Sequence, residues 1–197
     1  MRTKLLIYII VFSLSAGLFA CLFPYPIFSN YTNITEKNAI EINNLRENEI
    51  ALEFDDEVKV LCIDWETANA ILKNFSPFRI IDIKSGICIF VERVGGKNHA
   101  DIETIDQNNT MLLAEIYDGV PSWERRPVFV EYDENVFFCA SLAGFPHGEN
   151  KGENDLGGHL CLHFKGSKTH GTQSVDDAHQ RCIRYAYKHR REIYSLI

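Results

Sequence analysis

Four short runs rich in Ile, Val and Phe, falling into two pairs, constrain this 197-residue chain more than any other feature. Residues 78–83 and 87–94 are separated by Lys84, Ser85 and Gly86, and residues 127–132 and 136–142 by Asp133, Glu134 and Asn135. β-Branched and aromatic side chains favour an extended backbone, and a short polar turn between two such runs makes an antiparallel hairpin. Helical signals flank these hairpins. The apolar run 58–63 leads to Asp64, a suitable N-cap for a helix carrying Ala68, Ile71 and Leu72. Residues 110–117 have a helical pattern that Gly119 stops. Ser174 with Asp177 three residues on resembles a capping box, and Val175, Ala178, Cys182, Tyr185 and Ala186 then share one helical face. The expectation is an α+β, β-rich domain: a sandwich-like sheet core, peripheral helices and a C-terminal helix.

The N-terminus sets the expected compartment. Arg2 and Lys4 precede an apolar stretch over residues 5–22, which Pro24 and Pro26 end, the layout of a secretory signal or signal anchor. At about 20 residues such a stretch is long enough to span a bilayer. Leu18, Phe19, Ala20 and Cys21 loosely resemble a lipobox, in which Cys21 would be lipidated. Either route places the rest of the chain outside the membrane, and the expected organisation is a signal peptide or membrane anchor at 1–28, a polar linker at 29–50 and one globular domain at 51–197. A net charge of −7 argues against a nucleic-acid partner, because phosphate binding needs a basic footprint. The one dense basic run, 188–191, falls in an expected last helical turn, where cations oppose the helix dipole. Cys62, Cys88, Cys139 and Cys182 lie in apolar runs and read as buried thiols. The N-x-T sequons at Asn30, Asn33 and Asn108 are what chance yields in so Asn-rich a chain.

Reactive side chains concentrate in one place. His147, His159, Cys161 and His163 fall within seventeen residues, after a loop over 144–158 rich in Gly, Asn and Glu. If 160–164 is extended, the period of two puts His159, Cys161 and His163 on one face while Leu160, Leu162 and Phe164 enter the core. A thiol attacks a carbonyl at neutral pH only with a lowered pKa or a base alongside, and imidazoles can supply either. The plainer reading, a buried core thiol, fits less well with histidines on both sides. His163 reads as hydrogen-bonded structure, His170 as a loop residue and His179 as part of the first turn of the last helix. His99, Ala100 and Asp101 read as a polar loop after Gly95 and Gly96, and Trp123 to Arg126 as a strand entry carrying a solvated ion pair.

His147-Gly148, a loop, and then Gly158-His159-Leu160-Cys161-Leu162-His163 resemble the signature of the L,D-transpeptidases. In that family a His-Gly closes a strand, a variable loop follows, and Ser/Thr-His-Gly-Cys precedes an aliphatic residue and usually Arg. The hairpin leading into His147 and the helix after the motif match that order as well. This chain departs from the pattern at Gly158, Leu160 and His163, and its intervening loop is shorter. The resemblance implies that Cys161 is the nucleophile, His147 the general base, and His159 a residue that orients the thiol or polarises the carbonyl. It also implies that backbone N–H groups near Gly158, Leu160 and Cys161 hold the oxyanion, that peptidoglycan stem peptides are the substrate, and that no metal or organic cofactor is needed.

Two rivals remain open at this level. A zinc-dependent cell-wall peptidase could use His99, Asp106 and His159, since His99 and Asp106 have an H-x6-D spacing and His159, Cys161 and His163 offer further ligand types. Against it, such peptidases add a tight His-x-His, whereas this chain has His-x-x-x-His. The third reading is a non-catalytic wall-binding module that keeps the fold.

Overall fold

The structure of the protein, a computed structural model, describes residues 58–197. The expected anchor, the linker, Cys21 and the sequons at Asn30 and Asn33 lie outside the described residues. In chain order the elements are β1 (Lys59–Leu61), α1 (Trp65–Ile71), β2 (Pro77–Asp82), β3 (Cys88–Gly95), β4 (Ala100–Thr104), α2 (Gln107–Ile116), β5 (Arg125–Asp133), β6 (Val136–His147), β7 (His159–His163) and α3 (Asp177–Lys188). A 3-10 turn (Arg190–Glu192) and a short helix α4 (Ile193–Leu196) follow. Among the described residues no helix is long and apolar enough to cross a membrane.

The α+β, strand-rich character agrees with the sequence, but the sheet closes on itself where a sandwich is expected. Strands follow the order β6-β5-β2-β3-β4-β7, and β7 returns to pair with β6, giving six antiparallel strands around a barrel. β1 adds to the outside of this ring, parallel to β6. Closure depends on β4, which the sequence reading treats as loop. Its alternation of Ala100, Ile102 and Thr104 with Asp101 and Glu103 suits a strand with one buried face, and Gly96 makes the turn into it. Gly96 has φ +101°, and a Cβ there would lie 1.9 Å from the His99 carbonyl oxygen, so no other residue fits this turn.

Alternation divides the barrel side chains into two apolar clusters. Ile80, Ile89, Val91, Ile102, Val128, Val130, Phe138, Leu142, Leu160 and Leu162 fill the interior, with Phe164 and residues of α1 and α2 closing it. On the outer face Ile81, Phe129, Phe137 and Cys139 pack against Ile183, Ala186 and Ile193 from α3 and α4. Burial of this kind contributes about 25 cal/mol per Å² of apolar surface, which is why α3 stays on the wall.

Helix caps locate the remaining elements. Asp64 caps α1 by accepting from Thr67 N–H at 2.8 Å, as expected. Asp106 caps α2, accepting from the N–H of Asn109 at 2.8 Å. For α3 the cap is Asp176, not the expected Ser174: its carboxylate accepts from Ala178 N–H at 2.8 Å and His179 N–H at 3.0 Å. Cys88 is disulfide-bonded, in contrast to its reading as a thiol, whereas Cys161 and Cys182 are free thiols.

Candidate active site

β7 presents its residues as the period of two requires: Leu160, Leu162 and Phe164 are fully buried inside the barrel, and His159, Cys161 and His163 face outward. Cys161 stands between Asp101 of β4 on one side and Ala143 of β6 on the other, in register with both. A flat ladder would next pair residue 145 with His159. Instead β6 gains two residues between Ala143 and His147, so that His147 pairs with His159. Such a bulge bends the strand and re-aims the side chain beyond it, and here it turns the His147 ring back over the thiol. His147 Nε2 lies 3.5 Å from Cys161 Sγ.

Two contacts hold that ring, and a third fixes its backbone. His147 Nδ1 donates to the Phe145 carbonyl at 3.0 Å, which leaves Nε2 as the acceptor facing the thiol. Trp123 packs on Phe145, with ring centroids 4.9 Å apart, and also lies 5.1 Å from the His147 ring. Below, Gly158 runs against the His147 backbone: its φ is +152°, and a Cβ would stand 2.7 Å from both His147 N and O. This contact accounts for glycine at 158. Gly148 faces the same restriction from the other side, because a Cβ there would lie 2.5 Å from the His159 ring.

Six of the seven histidines line one pocket of about 360 Å³ on the outer wall of the barrel: His99, His147, His159, His163, His170 and His179. Cys161, Trp123, Arg125, Ala143, Thr169 and Gly171 complete it. His99, His163 and His179 form a buried column, with centroids 4.2 Å apart for the first pair and 3.7 Å for the second. The column ends where His179 Nδ1 meets Ser141 Oγ at 2.8 Å. Burial drives all three imidazoles toward the neutral form, that of His179 down to about 3. Burial also pushes the Cys161 thiol up to about 12, with the Asp101 carboxylate adding to the effect and Arg125 opposing it. The His147 imidazole is lowered by burial, partly offset by its bond to the Phe145 carbonyl. At rest the pair is therefore a neutral thiol beside a neutral imidazole, suited to proton transfer during attack and not to a standing thiolate.

Of the residues singled out from the sequence, Cys161, His147 and His159 come together. The His159 and His147 rings are 4.5 Å apart. Leu160 has its side chain in the barrel interior, and Gly158 opens β7. His163 is buried in the imidazole column but is held by stacking and not by the expected hydrogen bond, since its Nδ1 has no partner among the described residues. The zinc set of His99, Asp106 and His159 is not assembled among the described residues: His99 converges with Cys161 and His170, His159 with His147 and His170, and Asp106 instead caps α2.

The sequence reading names Asp101, Arg125, Trp123 and His170 but gives them no part in the site. Asp101 is hidden by the reading of β4 as loop. Arg125 opens β5, where Nη2 binds Asp176 at 3.0 Å while its Nε is buried without a hydrogen-bond partner among the described residues. His170 arrives from the loop between β7 and α3, whose path no local pattern encodes. Comparison of the chain with family models, curated proteins and solved structures finds no match.

Proposed function

We propose that the chain is a cysteine-dependent acyl transferase acting on peptidoglycan stem peptides outside the membrane, in the manner of the L,D-transpeptidases it resembles. The observation that carries this reading is the approach of His147 Nε2 to Cys161 Sγ at 3.5 Å, in the tautomer that leaves Nε2 free to accept. His147 takes the thiol proton as sulfur attacks the carbonyl of a stem diamino acid residue. Backbone N–H groups near Gly158, Leu160 and Cys161 stabilise the oxyanion. Collapse breaks the peptide bond, His147 returns the proton to the departing D-alanine amine, and a thioester remains on Cys161. An acceptor amine, deprotonated by His147, then attacks the thioester and frees the thiol.

The neighbouring residues suit such a substrate. Arg125 lines the pocket with a partly exposed guanidinium, a partner for the terminal D-alanine carboxylate. His159, beside His147 and on the same wall as the thiol, orients the reacting groups. Trp123 and Phe145 form an apolar shelf for the stem backbone.

Intact-protein mass spectrometry after incubation with a carbapenem tests this reading. A β-lactam adduct is expected on the wild-type chain and absent from Cys161→Ala, and His147→Ala should slow its formation by roughly 10²- to 10⁴-fold. An adduct that persists in Cys161→Ala would contradict the assignment. Under the non-catalytic alternative, Cys161→Ser leaves every phenotype intact.

A further inference from the structure

The acyl-transfer mechanism leaves His99, Asp101 and His170 without a task, yet their donor atoms converge beside Cys161. His99 Nε2 and His170 Nε2 are 3.0 Å apart, and Asp101 Oδ1 lies 3.4 Å from the first and 3.1 Å from the second. His99 Nε2, His170 Nε2 and Cys161 Sγ all fall within 4.8 Å of one another. Despite these approaches, Asp101 Oδ1 is buried and has no hydrogen-bond partner among the described residues.

Hydrogen bonding fixes what His99 offers. Its Nδ1 donates to the Lys168 carbonyl at 2.6 Å, so Nε2 turns a lone pair toward Asp101 and His170. A ring held by a backbone carbonyl on one nitrogen while the other faces inward is the usual posture of a metal-binding histidine. A lone pair directed at a carboxylate oxygen is repulsive unless a cation or proton lies between them. The spacing suits a metal cation. Donors about 2.0–2.1 Å from a tetrahedral zinc are about 3.3 Å from one another, close to the three separations found here.

We propose that His99 Nε2, Asp101 Oδ1, His170 Nε2 and Cys161 Sγ form a site for one divalent transition-metal ion of the zinc class, whose binding withdraws Cys161 from nucleophilic chemistry. Binding replaces the S–H bond with a metal–sulfur bond and releases one proton to solvent. The site is a switch and not a catalytic centre, because the ion draws charge from the sulfur and stands in the way of a carbonyl approaching it. The ligand set stands independently of the acyl-transfer reading, and only the consequence for turnover rests on it. His170 is the gate residue of the set: its side chain is 45% exposed, whereas His99 is buried, so the ion enters past His170.

The test uses the full chain in detergent, stripped with a chelator and then titrated with zinc chloride. Bound metal is counted after desalting, and iodoacetamide alkylation of Cys161 is followed by peptide mass spectrometry. One zinc per chain is expected, with at least tenfold slower alkylation of Cys161. Asp101→Asn and His170→Ala should each weaken binding at least tenfold and restore alkylation, while His147→Ala should retain the metal. His170→Ala alters an exposed loop residue, which keeps the comparison valid if Asp101→Asn folds poorly. No retained zinc in the wild-type chain, undiminished binding in His170→Ala, or loss confined to His147→Ala would overturn the site. Zinc bound without protection of Cys161 would overturn the thiol ligand. The carbapenem reaction of the chelator-treated chain reports separately on acyl transfer.

Discussion

Among single residues, the proposed reaction asks a thiol as weakly acidic as Cys161 to act as a nucleophile. Burial and the Asp101 carboxylate raise it to about 12, and His147 is itself lowered by burial, so neither partner favours a standing ion pair. Attack must then be coupled to proton transfer across the 3.5 Å contact. This has a consequence for pH. A small alkylating reagent that reacts only with the thiolate should modify Cys161 about tenfold faster for each unit of rising pH from 7 to 10, because the thiolate fraction grows by that factor below the pKa. Measured in the presence of chelator, an acid-shifted plateau near neutral pH would instead indicate a preformed thiolate–imidazolium pair.

At the scale of elements, two irregularities build the site. The bulge in β6 brings His147 over β7, and the loop after β7 delivers His170 before Asp176 starts α3. Asp176 joins two functions, since the carboxylate that caps the helix also holds Arg125 at the pocket wall. Asp176→Ala should lower stability by about 1–2 kcal/mol through the lost cap, measured by denaturant unfolding, and should raise the KM for stem peptides through the freed Arg125. Asp176→Asn retains capping and should recover most of the stability but not the KM. The facing of Cys161 and its histidines was legible in the sequence because strand periodicity is local. Asp101 was not, since the five residues of β4 are too short and too acidic to announce a strand without the neighbours that close the barrel around them. The bulge was equally hidden, because Gly144 to Pro146 read as the start of the loop and are in fact a detour within β6.

At the scale of the whole molecule, two hairpins, the first helix and the last helix were readable from residue pattern, and barrel closure was not. Closure is a choice between β7 pairing with β4 and β6 together or with one alone, and the alternating side chains of β7 are compatible with either. The imidazole column on the outer wall gives the molecule a definite acid response. His163 and His179 are held neutral by burial, so below pH about 6.5 the unfolded chain takes up protons that the folded chain refuses. Stability is then unaffected by these groups above that pH and falls by about 1.4 kcal/mol per pH unit for each of them on acidification. Chelator-treated protein should show this slope in denaturant midpoints between pH 6 and 4, and replacing His179 by Gln should reduce it.

The proposed function requires Cys161, served by His147, to form an acyl-enzyme with a peptidoglycan stem. Its most direct test is mass spectrometry of the chelator-treated chain mixed with a purified stem tetrapeptide. The predicted result is a thioester on the Cys161 peptide with one D-alanine released per acyl group, absent in Cys161→Ala and strongly slowed in His147→Ala. D-Alanine release that continues in Cys161→Ala, or a wild-type chain that neither acylates nor releases it, would contradict the claim.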